Sequence, residues 1–168
     1  MKLAIPLLVA LLLFISCGAK KDIVANQKFD KNSKTVLNYI EGFQNQNVDY
    51  SSYSKDFKSL NTSFGETTET ITLDEFKESN KKMFEVLQFK LLETPMFLRG
   101  VDAKTGVIDG SVRFYGTWEI TLKKTAATES KTARLKVYES LDFDTDGKIV
   151  FQQGYGDFTG LIMFLTNK

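Results

Sequence analysis

Four polar residues crowd the end of this 168-residue chain at positions where the surrounding pattern asks for buried side chains: Glu139, Gln153, Tyr155 and Asp157. A carboxylate among apolar neighbours is costly unless it is paired, hydrogen-bonded, hydrated or protonated. The same surroundings raise its pKa and make it a better base near neutrality. Asp157 or Glu139 is therefore a candidate general base for an isomerase or lyase reaction, with Tyr155 or Gln153 donating to a developing oxyanion. Two plainer roles fit the same residues. Glu139 can lie at a sheet edge, and Asp157 can lie past the last strand and cap the segment that follows.

Other chemistry has less to work with. The chain has no histidine and a single cysteine, Cys17, and it lacks a Gly-x-Ser-x-Gly or phosphate-loop motif. Asp142-x-Asp144-x-Asp146-Gly147 copies the start of a calcium loop, but the twelfth position, which needs a bidentate Glu, is Gln153. The flanking patterns are those of strands rather than helices. No metal and no cofactor is expected.

The elements that must position these residues are strands. From Ile108 to Leu122 every second residue is apolar or glycine, with mostly polar residues between, which signals a strand with one buried face. Ala133, Leu135, Val137, Leu141 and Phe143 repeat the alternation, and Ile149, Phe151, Gln153, Tyr155 and Asp157 share a third register. Between the last two runs, Asp144-Thr145-Asp146-Gly147-Lys148 suits a three-residue hairpin loop with Gly147 in the left-handed conformation. That loop pairs Phe143 with Ile149, Leu141 with Phe151 and Glu139 with Gln153. The expected pocket is lined by Phe114, Trp118, Val137, Leu141, Phe151, Gln153 and Tyr155, with Glu139 and Asp157 among its polar points.

Helices precede the sheet. Ser33 is the expected cap of a helix burying Val36, Leu37, Ile40 and Phe43, weakened at Gly42 by about 1 kcal/mol relative to Ala. Val48 to Tyr53 suits a short helical turn, and the stretch holding Phe57, Leu60 and Phe64 a short strand or loop. Thr72-Leu73-Asp74-Glu75 reads as a capping box opening a second helix, with Leu73, Phe76, Asn80, Met83, Phe84 and Leu87 in one stripe. Phe89 to Leu98 reads as a strand with Pro95 at an edge or bulge. Leu161 to Leu165 is a short apolar tail suited to closing one end of the sheet.

The N-terminus carries an address. Met1-Lys2, the apolar run Leu3 to Ile15 and Ser16-Cys17-Gly18 have the layout of a secretory signal, too short for a membrane span of roughly 20 residues. Phe14-Ile15-Ser16-Cys17 resembles the bacterial lipobox, with Phe14 in place of the usual Leu. The resemblance implies cleavage before Cys17, lipidation of that residue, and attachment to a membrane of the cell envelope (the outer membrane in a Gram-negative cell). Residues 1–16 are then the leader, 17–32 a lipidated, polar tether and 33–168 one domain of adequate size for its own core. Losing Lys2 with the leader takes the 22 basic residues to 21 against 21 acidic ones, a formal charge of zero. Such balance, with no basic stripe, argues against nucleic acid as a partner.

Helices followed by a bent antiparallel sheet make an α+β domain. The segments Val36–Phe43, Asn45-Gln46-Asn47-Val48-Asp49, Leu73–Leu87, Val107–Lys123, Phe143–Val150 and Gly154-Tyr155-Gly156-Asp157 together resemble the NTF2-like superfamily, and within it the SnoaL-like group. The resemblance implies a cone: a strongly curved antiparallel sheet with the N-terminal helices on its concave face, enclosing a pocket for small apolar ligands. It also implies a pocket Asp, matched here by Asp157, though the histidine that often accompanies it is absent. Three readings follow. The domain binds a small apolar ligand or a partner without catalysis; it is a SnoaL-like isomerase or lyase using Asp157 or Glu139; or it is a structural homodimerisation module using the outer sheet face around Tyr115 and Tyr138.

Overall fold

Strand β5 (Ile108–Leu122) is the longest in the sheet, and three other strands are hydrogen-bonded to it. The computed structural model describes residues 4–60, 62–63, 65, 69–126 and 129–167, with side chains from Ile23 onward. β6 (Lys131–Phe143) runs antiparallel to β5 from Leu122↔Lys131 to Val112↔Leu141. Val112, Phe114, Gly116, Trp118 and Ile120 therefore share an inner face with Leu141, Glu139, Val137, Leu135 and Ala133, as the alternation predicts.

On the other side of β5 lie β3 (Leu87–Leu91) and β4 (Met96–Val101), the first opposite Trp118–Leu122 and the second opposite Ile108–Tyr115. The single strand expected over Phe89 to Leu98 is thus two. Proline has no N–H to give a ladder, and the chain leaves the sheet around Pro95 before rejoining the same partner.

β7 (Ile149–Tyr155) corrects the expected register. The hairpin forms as anticipated: Asp144 N donates to Lys148 O at 2.9 Å, Gly147 N to Asp144 O at 3.1 Å, and Gly147 has φ 81°. Phe143 pairs with Ile149, also as anticipated, but Asp142 then pairs with Phe151, leaving Val150 as an extra residue in a bulge. One inserted residue turns every later side chain to the opposite face. Leu141 faces Gln152 and Glu139 faces Gly154, while Phe151, Gln153 and Tyr155 join the outer face with Asp142, Ser140 and Tyr138.

β1 (Tyr53–Leu60) pairs in parallel with β7, and β2 (Thr70–Thr72) pairs antiparallel with β1. The order β2-β1-β7-β6-β5-β3, with β4 also on β5, makes a mixed sheet rather than a purely antiparallel one.

Helix α1 (Ala4–Gln44) crosses the concave face and begins well before Ser33. Ala25, Phe29, Asn32, Val36, Tyr39 and Ile40 are buried at helical spacing, so the packed domain takes in residues 25–32, which the sequence reading placed in the tether. Ser33 sits inside the helix rather than at its cap, and Leu37, expected inside, is 36% exposed while Tyr39 takes the buried place. Asn32 Nδ2 donates to Gly110 O at 2.9 Å, where Gly110 has φ 90° and a Cβ would come within 2.7 Å of Lys28 Cβ. Glycine is required there on both counts.

Helix α2 (Leu73–Val86) starts at the capping box: Glu75 N donates to Thr72 Oγ1 at 3.4 Å and Thr72 N to Glu75 Oε2 at 2.7 Å. The apolar tail forms helix α3 (Phe158–Thr166). Phe57, Phe114, Leu141, Ile149, Val36 and Val112 are the largest fully enclosed side chains, and the core lies between α1 and the inner face.

Candidate functional site

The core is incomplete at one end. Between the second half of α1, the buried side of α2, helix α3 and the inner faces of β5, β6 and β7 lies a cavity of about 250 Å³. Its walls are mainly apolar: Phe43 from α1, Phe76 and Met83 from α2, Trp118 and Ile120 from β5, Val137 from β6, and Phe158, Leu161 and Ile162 from α3. Gly154 lies directly opposite Glu139 on β7 and leaves open the space a side chain would fill.

The polar end is built from three elements. Glu139 projects inward from β6, Gln152 from β7 and Tyr39 from α1. Gln152 Nε2 donates to Tyr39 Oη at 2.9 Å and to Glu139 Oε2 at 3.3 Å, and Gln152 Oε1 accepts from Tyr53 Oη at 3.4 Å. Asn80 of α2, also buried and lining the cavity, donates to Tyr50 Oη at 3.1 Å.

Glu139 is half-buried: the cavity supplies its accessible side, and protein encloses its carboxyl group elsewhere. Burial disfavours the charged form and raises its pKa to about 7, against the opposing effect of the Gln152 hydrogen bond. Burial likewise pushes the Tyr39 and Tyr53 hydroxyls well above their ordinary value, and the Glu139 charge adds to both shifts. Near neutrality the site thus holds one carboxyl group poised between its two forms and two neutral phenols. Among the described residues, no group of three or more His, Cys, Asp or Glu side chains is placed to hold a metal ion.

The residues singled out from sequence separate into three groups. Glu139, Trp118 and Val137 line the cavity. Phe114 and Leu141 share their inner face but are fully buried in the core beyond it. Phe151, Gln153 and Tyr155 do not reach the cavity, because the bulge turns them outward; Tyr155 is 46% exposed and its ring lies 5.8 Å from that of Tyr138.

Asp157 is corrected as well. It is exposed and caps α3, accepting from Gly160 N at 2.9 Å, so neither it nor Tyr155 joins Glu139 in a common site. The expected role of Cys17 lies outside the described side chains.

Sequence reasoning missed Tyr39 and Gln152, whereas the apolar tail expected to close one end of the sheet supplies Leu161 to the cavity wall. Tyr39 follows Val36 by three residues on the buried stripe, a signal that was present. Gln152 was hidden by the bulge, since without it Gln153 takes the inward place. Asn80 was legible, as the polar member of an apolar helical stripe.

No protein-family model and no curated protein matches the sequence. Solved structures do. An NTF2-like protein from Burkholderia xenovorans LB400 superposes with a TM-score of 0.61 at 15% identity, over 82% of this chain and 97% of that one. A provisionally assigned SnoaL-like polyketide cyclase from Shewanella denitrificans OS-217 gives 0.56 at 12% identity, covering 78% and 93%. An LEH-like epoxide hydrolase from M. tuberculosis gives 0.55 at 15% identity, covering 81% and 85%. At these identities the likeness concerns the fold, and function is argued from the site. By its sheet order, its concave-face helix and these superpositions, the chain has the NTF2-like fold.

Proposed function

We propose that the protein is a lipid-anchored domain of the bacterial cell envelope that holds a small, mostly apolar ligand in its cavity without converting it. The observation that carries this reading is the junction of an open, mostly apolar space with a hydrogen-bonded polar cluster, Glu139–Gln152–Tyr39. Ligand pockets are commonly of this kind, largely apolar with a few polar groups that fix orientation. The space accommodates on the order of ten non-hydrogen atoms at condensed-phase packing.

Binding is favoured over turnover by the composition of the same site. Among the described residues that line the cavity Glu139 is the one carboxylate, and Tyr39 is held neutral far above physiological pH. Most proton-transfer cycles use a second group to complement the first. Anchoring rests on the Phe14-Ile15-Ser16-Cys17 segment, since acyl chains on Cys17 supply the membrane affinity that the domain itself does not need to provide.

The test is a thermal-unfolding screen of the full-length protein against apolar compounds of on the order of ten non-hydrogen atoms. Binding to the folded form raises the midpoint, by about 2 °C or more for ligand well above its Kd. A subset of compounds producing that shift supports the reading, and a panel with none overturns it. Conversion of a bound compound, lost in Glu139→Gln, would replace binding by catalysis. For the anchor, mass spectrometry of the membrane fraction should find Cys17 acylated at a new N-terminus; an unmodified Cys17 overturns that part.

A further inference from the structure

The polar end of the cavity also specifies what kind of head group fits it. A buried carboxylate requires a donor, so the amide of Gln152 must present Nε2, not Oε1, to Glu139. With that orientation fixed, and held by Tyr53 donating to Oε1, Nε2 also donates to Tyr39 Oη. Tyr39 is therefore an acceptor within the protein, and its own O–H finds no acceptor among the described residues. Tyr39 is only 6% exposed and lines the cavity. Glu139 spends Oε2 on Gln152, and Oε1 has no partner among the described residues.

One donor and one acceptor are thus left at the same end of an apolar space. A hydroxyl group satisfies both, accepting from Tyr39 and donating to Glu139 Oε1. A ketone satisfies the donor alone, a hydrocarbon satisfies neither, and a carboxylate sets a second negative charge against Glu139. A site whose buried polar groups would be left unpaired rejects the analogue that leaves them so.

We propose that the cavity selects an uncharged alcohol on a compact apolar skeleton, its oxygen held between Tyr39 and Glu139. This rests on the ligand-binding function proposed above and names the ligand class. Gln152 is the positioning residue, since it sets which hydrogen-bonding character Tyr39 and Glu139 turn toward the ligand.

The experiment uses three probes of one skeleton: menthol, menthone and p-menthane. Each is titrated into the full-length protein in alkaline buffer, with Glu139 ionised, following emission from Trp118, the sole tryptophan and a cavity-wall residue. Menthol is expected to bind about tenfold or more tightly than p-menthane, with menthone between them. Tyr39→Phe should bring menthol close to p-menthane, and its unfolding midpoint reports that the variant folds.

Glu139→Gln gives the sharper result. Its carbonyl oxygen must face Gln152 Nε2, so its amide becomes a second donor toward the ligand, and the preference should move from menthol to menthone. Equal affinities for all three probes in the wild type overturn the selection of a hydroxyl while leaving ligand binding intact. Failure of all three to bind overturns both.

Discussion

Gln152 and Glu139 meet across 3.3 Å although they are not partners in the β6–β7 ladder, where Gln152 lies opposite Leu141 and Glu139 opposite Gly154. The contact is diagonal, made possible by the bulge that turns Gln152 inward. It is the one hydrogen bond that the Glu139 side chain accepts among the described residues, and it ties the carboxyl group to Tyr39 and Tyr53 through one amide.

Replacing that amide should release the carboxyl group. In Gln152→Leu nothing opposes the burial of Glu139, so its pKa should rise above about 7. The loss also strips Tyr39 and Tyr53 of a partner and should cost about 1–3 kcal/mol of stability. Carbon-detected NMR titration of the glutamate carboxyl reads the first effect and denaturant unfolding the second. An unchanged Glu139 titration would contradict the geometry.

Stability should depend on pH through Glu139. Its folded-state pKa of about 7 lies above the ordinary value of 4.5, so the folded form binds the extra proton between these limits. The contribution is complete below about pH 4.5 and is lost as pH rises through about 7. Tyr39 and Tyr53 remain neutral throughout this window and do not offset it. Glu139→Gln removes the titration and should be the more stable protein above pH 7, by on the order of 3 kcal/mol at most. Unfolding curves at several pH values check it; parallel profiles for the two proteins would contradict the burial of this group.

Asp157 should behave as a helix cap. Asp157→Ala is expected to lower stability by about 1 kcal/mol, and Asp157→Asn by much less, because asparagine caps nearly as well. Neither should alter the affinity of the cavity for a ligand through lost chemistry. Denaturant titration paired with binding measurements separates the roles: a large loss of binding in a stably folded Asp157→Asn would place the residue in the site after all.

Gly154 tests the space itself. A Cβ there would meet Glu139 Cγ and Phe158 Cζ at 3.7 Å, which is ordinary contact. Gly154→Ala should therefore fold and keep most of the cavity. Gly154→Leu extends into the space and should lower affinity at least about tenfold, as expected when a site is filled by its own protein. Unfolding midpoints for both variants show whether the sheet tolerates them.

The fold was largely legible because its signals are local. Alternation from Ile108 to Leu122 marks an inner face whatever the partner strands are, and Thr72 with Glu75 marks a helix start from four residues. The site was less so. A bulge at Val150, between the Phe143–Ile149 and Asp142–Phe151 pairs, leaves no trace in the alternation of β7, yet it decides whether Gln152 or Gln153 points inward. Residues 25–32 look like a tether because their exposed side is strongly polar, while Ala25, Phe29 and Asn32 make the buried stripe. Glu139 could be found because its conflict with an apolar register depends only on β6, which carries no such shift before Asp142.

The most direct measurement is a titration of the full-length protein with menthol, read from Trp118 emission in the wild type and in Gly154→Leu. A saturable change in the wild type, weakened at least about tenfold in the filled variant, is the predicted result. No saturable change, or the same change in both proteins, would contradict a ligand held in this cavity.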